Sequence, residues 1–153
     1  MTQLSGVKPD SSGYLPEALL NFLVRLGWSN GDQEIFSMDE MLELFDPSNI
    51  NKSASAYNAE KLLWLNAEYI RSVSNDRLVE ELKFFDLDLS DYAKKNELLE
   101  LSKQRAQTLI ELKNSANSIL EIPTEYEVKG SKKFVKEDTP VFLNKYLKVL
   151  EEN

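Results

Sequence analysis

Apolar residues recur at intervals of three and four through most of the chain, with few interruptions. In "LPEALLNFLVRLGW", Leu15, Leu19, Phe22, Leu23 and Leu26 share one face of a helix. Pro16 suits its first turn and Gly27 suits a left-handed end. "SMDE" opens a second helix, with Ser37 and Glu40 spaced as a capping box and Met41, Leu42 and Phe45 directed inward. "NAEKLLWLNAEYIRS" predicts a third, capped by Asn58, with Leu62, Leu65 and Tyr69 as its stripe and Asn66 on the same side. "SNDRLVEELKFF" predicts a fourth. A long fifth is expected over residues 96–120, with Leu98, Leu101, Leu109, Leu112, Ala116 and Ile119 near a 3.6-residue period. "EIPTEYEVKGSKKFVKE" is less regular, and "DTPVFLNKYLKVLEE" closes the chain with a Pro-started helix. No strand pattern and no fixed-period repeat occur. The expected fold is therefore all-α, a bundle of about six helices. Residues 1–12 are polar and lack a period, which predicts a flexible leader, native or appended.

Charge and composition narrow the chemistry. The formal net charge is −8, yet 18 Lys and Arg residues are enough for a local basic face. With no Cys and no His, disulfides, thiolate nucleophiles and imidazole acid–base work are excluded. No catalytic set and no metal site are expected. The paired acids of "LVEELKFFDLDLSD" read as a solvated helix face, since no electrophile-handling partner is near them in sequence. No run of 18 apolar residues predicts a membrane span. The N-terminus lacks a basic-then-apolar export signal, so a cytoplasmic location is expected.

Several residues invite a binding role. In "GWSNGDQE", Trp28 is expected to plug the junction of two helices while Gly31 and Asp32 make the turn. Trp64 could stack on a base, but its Leu63 and Leu65 neighbours favour a core position. Asn66, on an apolar stripe, is expected to bond a neighbouring loop backbone. Lys52, Lys61 and Arg71 flank the third helix, and Lys103 and Arg105 sit on the fifth, with Lys113 beyond them. Each could meet phosphate; each could also simply solvate a face. Lys129, Lys132, Lys133 and Lys136 form a weaker cluster bracketed by Glu127 and Glu137.

Two stretches taken together are more specific. "GYLPEALLNFLVRLGWSNGDQEIFS" followed by "KSASAYNAEKLLWLNAEYI" closely resembles bacterial glutamyl-tRNA synthetase, in the segment just downstream of that family's Lys-Met-Ser-Lys-Ser-type loop. The likeness is dense over residues 13–71 and looser over 72–153. There, Leu98, Leu101, Arg105, Thr108 and Leu109 match the family's Leu-x-x-Leu-x-x-x-Arg-x-x-Thr-Leu helix. The His-Ile-Gly-His signature is absent, as are the Lys-Met-Ser-Lys-Ser-type loop and the later Gly-Lys … Pro-Leu-Arg pattern. The resemblance thus implies an internal helical piece of the enzyme: a leader over 1–12, a stem-contact segment over 13–71, and an anticodon-stem segment over 72–153 that stops before the outer anticodon-binding domain. It implies glutamate-accepting tRNA and the parent's catalytic domain as partners, with Lys52, Lys61, Arg71, Lys103 and Arg105 as candidate tRNA contacts. ATP with Mg would be the parent enzyme's, with no cofactor in this piece and no catalysis by it alone. An acidic helical protein-interaction module is the rival reading; it leaves the family-like segments unexplained.

Overall fold

The computed structural model describes residues 8–51, 56–121 and 128–151. Among these, eight α-helices and a 3-10 turn at Pro47–Asn49 account for the regular structure, and no strand forms. The helices are α1 (Pro16–Gly27), α2 (Met38–Leu44), α3 (Ala59–Ser72), α4 (Asn75–Lys83), α5 (Lys95–Lys103), α6 (Leu109–Leu120), α7 (Val128–Phe134) and α8 (Thr139–Glu151). The all-α expectation holds, with more and shorter helices than the sequence pattern suggested.

The caps explain most of the starts. Pro16 occupies the first turn of α1. Ser37 Oγ accepts from the Glu40 N–H at 3.1 Å while a Glu40 carboxylate oxygen accepts from the Ser37 N–H at 2.7 Å. That hydrogen bond from the Ser37 backbone also holds the Glu40 carboxyl below its ordinary range. Asn58 and Ser74 cap α3 and α4 more simply, each side chain accepting from one backbone N–H, of Lys61 and of Arg77. The end of α1 differs from expectation. Gly27 is not left-handed; Trp28 turns out in extended backbone, and the Gly27 carbonyl accepts from the Asn51 N–H at 2.6 Å. That exit drops Trp28 onto Phe36 and Met41, which make a small cluster of their own.

The predicted fifth helix is two. Residues 104–108 interrupt it, and α6 restarts from a cap that its own sequence supplies: Thr108 Oγ1 accepts from the Glu111 N–H at 3.2 Å, and Glu111 accepts from the Gln107 N–H at 2.7 Å. Leu101, expected to face the core, is exposed, off the face that α5 buries through Leu98, Leu99 and Ser102, while Ala106 in the break is buried. Leu23, Leu42 and Ile119 are likewise exposed, and Phe45 partly so.

One core joins α1 and α3–α6, with Leu15, Phe22, Leu65, Ile70, Leu82, Leu99, Leu109 and Leu112 among its buried members. Full burial of each such side chain contributes about 1.5–3 kcal/mol. Two polar residues of α3 pin this core. Asn66, wholly buried, accepts from the Leu15 N–H at 2.8 Å and donates to the Gln107 carbonyl at 2.6 Å and the Gly13 carbonyl at 3.4 Å. The same Gly13 carbonyl accepts from the Leu109 N–H at 2.9 Å. Gly13 has φ +84°, and a Cβ there would lie 3.0 Å from the backbone nitrogens of Leu109 and Ile110. Only glycine fits so close an approach in that backbone conformation. One turn on, the Tyr69 hydroxyl donates to the Phe36 carbonyl at 2.5 Å, with Asn21 Oδ1 3.0 Å from the same oxygen. Asn21 in turn accepts from the Phe36 N–H at 2.8 Å. Arg77 of α4 grips buried Glu17 of α1 with two hydrogen bonds, at 2.8 and 3.0 Å, and Glu81 at 3.2 Å.

Residues 8–12, placed by the sequence pattern in a flexible leader, make definite contacts. Pro9 is buried, Lys8 Nζ lies 5.5 Å from the Phe84 ring centre, and Asp10 Oδ1 accepts from the Tyr14 N–H at 2.8 Å. Residues 1–7 of that leader lie outside the described residues. The chain divides into two compact units, Met1–Leu120 and Glu121–Asn153. In the second unit, α8 starts where the Lys136 N–H meets Thr139 Oγ1 at 2.8 Å, and α8 has no buried residue.

Two outcomes are expected from this packing. Asn66→Ala leaves the buried Leu15 N–H without its acceptor and takes a donor from the part-buried Gln107 carbonyl. At about 1–3 kcal/mol for the one orphaned buried group, urea denaturation should show a loss of roughly 1–3 kcal/mol; a loss below about 0.5 kcal/mol would contradict the pinning role. Burial, followed by the nearby Glu17 charge, pushes the Tyr69 hydroxyl well above the ordinary tyrosine range. A group raised in the folded state lends stability that is complete below its unfolded pKa, about 10, and declines as pH rises above it. Wild-type stability should therefore fall with pH beyond about 10, and Tyr69→Phe should flatten that decline in pH-dependent denaturation.

Candidate nucleic-acid interface

The five basic candidates meet different fates. Lys52 lies outside the described residues. Lys61, in the first turn of α3, places its Nζ 2.5 Å from Glu34 Oε1. Arg71, at the other end of α3, is ion-paired with Glu68 one turn back, and its side chain stays 37% exposed. Ten residues of helix, at 1.5 Å each, set Lys61 and Arg71 about 15 Å apart along the axis. Lys103, at the end of α5, does not face solvent. Its side chain is 9% exposed and its Nζ meets Glu100 at 2.5 Å and Asn75 Oδ1 at 3.3 Å, bracing α5 against α4. Arg105 is exposed in the break between α5 and α6 and forms no ion pair among the described residues. No two of the described four touch. They are held on α3 and around the end of α5, two elements that pack together.

The electrostatics follow from these pairings. Hydrogen bonding to Lys61 holds the Glu34 carboxyl below its ordinary range, with the Lys61 and Arg25 charges adding to the effect. Lys103 does the same for Glu100, helped by Asn75. Both acids stay ionised into mild acid, so their cations stay paired there. Lys132, Lys133 and Lys136 of the weaker cluster are exposed in and after α7, and Lys133 Nζ lies over the Phe134 ring at 5.1 Å.

The aromatic expectations split. Trp28 is buried, its ring centre 5.3 Å from that of Phe36, and the turn behind it closes at Gly31, with φ +55°, between Asn30 and Gln33. Trp64 is 39% exposed, not core. At 100° per residue it lies about 200° round α3 from both Leu62 and Asn66, which are buried. It is thus turned away from the core on the same helix as Lys61 and Arg71.

Sequence reasoning passed over Arg25. It lies in the last turn of α1 with its NH2 3.9 Å from Glu34 Oε1, and its Nε and NH1 are shut from solvent without a hydrogen-bond partner among the described residues. A lone guanidinium between Val24 and Leu26 was the available signal. Among the described residues no acidic cluster could hold a metal ion, and no helix is long and apolar enough to cross a membrane.

Comparison with known proteins gives this surface its context. Residues 4–64 match the model of the class I tRNA synthetase (E and Q) catalytic domain, and residues 59–153 match that of an anticodon-binding domain. Glutamate--tRNA ligase 1 of Aliarcobacter butzleri is 77% identical over 92% of this chain and 30% of its own length. Glutamate--tRNA ligase 2 of Nitratiruptor sp. is 59% identical over 91% of this chain and 30% of its own. A crystal structure of a glutamate tRNA ligase from Elizabethkingia meningosepticum superposes with a TM-score of 0.76 at 32% identity, covering 92% of this chain and 29% of that one. The chain thus spans about 30% of the length of the curated relatives it matches. With more than half of its residues matched by one family model, the chain belongs to the anticodon-binding domain family, and it is homologous to that share of the glutamate–tRNA ligases.

Proposed function

We propose that this chain is the tRNA-receiving helical part of a glutamate–tRNA ligase, working in the cytoplasm and not catalytic by itself. The observation that supports it most is the anticodon-binding match over residues 59–153, a stretch in which α3 carries the partly exposed Lys61 and Arg71 and the α5–α6 break carries the exposed Arg105. Recognition runs through shape and phosphate charge along the inner side of the tRNA, around the D and anticodon stems, not through base edges. Arg105 and Arg71 are the direct phosphate contacts, with Lys61 at the entry of α3 and Lys52 as further contacts. Lys103 acts as a positioning residue that sets the angle of α5. The exposed Trp64 face offers a neighbouring stacking surface. In the whole enzyme the catalytic portion would bind ATP with Mg and glutamate; this chain supplies the surface that holds the tRNA to it.

Three measurements test this. Glutamate-dependent ATP–pyrophosphate exchange, run with tRNA and free of host synthetase, should stay at background; exchange above it would overturn the non-catalytic reading. Binding of tRNA should be weak, with log affinity falling by about 0.7–0.9 per log salt for each phosphate neutralised. Arg105→Gln combined with Arg71→Gln should weaken binding and flatten the slope by two contacts' worth, about 1.4–1.8; equal binding at every salt would leave these residues a solvated face. Lys103→Met should separate the two roles. It removes the partner of Glu100 and Asn75, so the thermal midpoint should shift while the salt slope stays that of the wild type.

A further inference from the structure

Between the end of α1 and the start of α3 lies a pocket of about 230 Å³, lined by Phe22, Arg25, Leu26, Ala56, Asn58 and Lys61. Two cations and one acid meet there: Arg25 NH2 at 3.9 Å and Lys61 Nζ at 2.5 Å both approach Glu34 Oε1. The charge balance is one positive unit in excess. The 14-residue α3 begins at the same place and adds the positive end of its dipole.

Arg25 is the informative residue. A guanidinium offers five N–H donors in a fixed fork. Here its Nε and NH1 are withdrawn from water with no partner among the described residues, and its one charge partner is beyond hydrogen-bond range. Buried donors left unmade are costly. Turning this side chain toward the pocket gives up no hydrogen bond at Nε or NH1 and loosens only the long contact to Glu34. Lys61 is 40% exposed at the pocket's edge and can meet the same ligand. The apolar wall of Phe22 and Leu26 keeps the setting partly dry, which strengthens a charged hydrogen bond.

We infer that Arg25 and Lys61 form a seat for one phosphate group, with Glu34 holding both cations in place until an anion competes for them. Resting on the tRNA-binding reading above, the occupant is a phosphodiester of the tRNA backbone, gripped by the Arg25 fork in the bidentate manner that guanidinium favours. A free phosphate ion carries the same chemistry and serves as its probe. Glu34 opposes binding, so the seat is weak for a lone ion and useful only when neighbouring contacts supply effective concentration.

The test uses the full chain. First, inorganic phosphate is titrated into isotope-labelled wild type while the Arg25 Nε–H resonance is followed, with chloride at matched ionic strength as control. A saturable, phosphate-specific shift is expected, at lower phosphate concentration in Glu34→Gln; a response identical to that of chloride overturns the seat. Second, tRNA binding is measured across salt for wild type and Arg25→Gln. Loss of about tenfold in affinity and of about 0.7–0.9 in slope is expected. If wild type binds tRNA and Arg25→Gln binds it equally, the phosphodiester assignment fails while the tRNA reading stands. If wild type binds no tRNA but the phosphate shift appears, the tRNA reading fails, and the seat with it as a backbone contact, leaving only an anion site. The resonance measurement on wild type decides the seat even where Arg25→Gln does not fold.

Discussion

The amide of Asn66 sets the geometry on which the first unit rests. Three pieces of backbone that cannot pair with one another come to it: the N–H that opens α1 and the carbonyls of Gly13 and Gln107. The first two are buried and the third is part-buried, and an unpaired buried group costs about 1–3 kcal/mol. A primary amide is the one side-chain group with both an acceptor and two donors in a plane, so no apolar residue can replace it. Because the Gly13 carbonyl also receives the Leu109 N–H, the start of α1, the middle of α3 and the start of α6 are fixed by one small network. Tyr69 repeats the device one turn along, tying α3 to Asn21 and to the backbone ahead of α2. α3 therefore buries a face that is apolar in shape but polar at the two points where chain ends arrive.

Much of this was readable from residue types. Ser37 with Glu40, Asn58 and Pro16 mark helix starts because each supplies or spares a specific orphan N–H, and the structure uses them so. Asn66 was legible as an amide on an apolar stripe. What periodicity could not show is where a stripe breaks. Leu101 and Leu109 fit one helical rhythm, yet Thr108 and Glu111 form a cap between them, and a cap inside a rhythm wins locally. Leu23 and Leu42 fit their stripes too, but a stripe says which residues share a face, not how wide the covering neighbour is. Trp64 misled for a plainer reason: its sequence neighbours are not its neighbours on the helix.

The candidate surface was less legible, because charge in a sequence does not say whether it is already answered. Lys61, Arg71 and Lys103 look alike as exposed bases, but the fold pairs them with Glu34, Glu68 and Glu100. The acidity of the chain, −8 in formal charge, is thus partly a set of tethers that point cations in chosen directions. Arg77, held by Glu17 and Glu81 and nearly out of solvent, shows the limit at which such a tether is purely structural. Breaking a buried pair of that kind costs about 3–5 kcal/mol, whereas an exposed pair contributes little.

The overlap of the two family models at residues 59–64 falls in the opening turns of α3. On paper it is a seam between a stretch that matches a catalytic-domain model and one that matches an anticodon-binding model. In the folded chain it runs through a single core in which α1 lies on one side of the seam and α4–α6 on the other. A crossover there, swapping one synthetase's reading module for another's, would separate Leu15 from Asn66 and Glu17 from Arg77, and both halves would arrive with raw faces and stranded charges. The unit that can be inherited intact is longer than either matched stretch, and the compact body ends at Leu120. Modular exchange in this lineage would therefore leave its scars near that point, and chimeras joined there should keep their stability where those joined at residue 59 lose it.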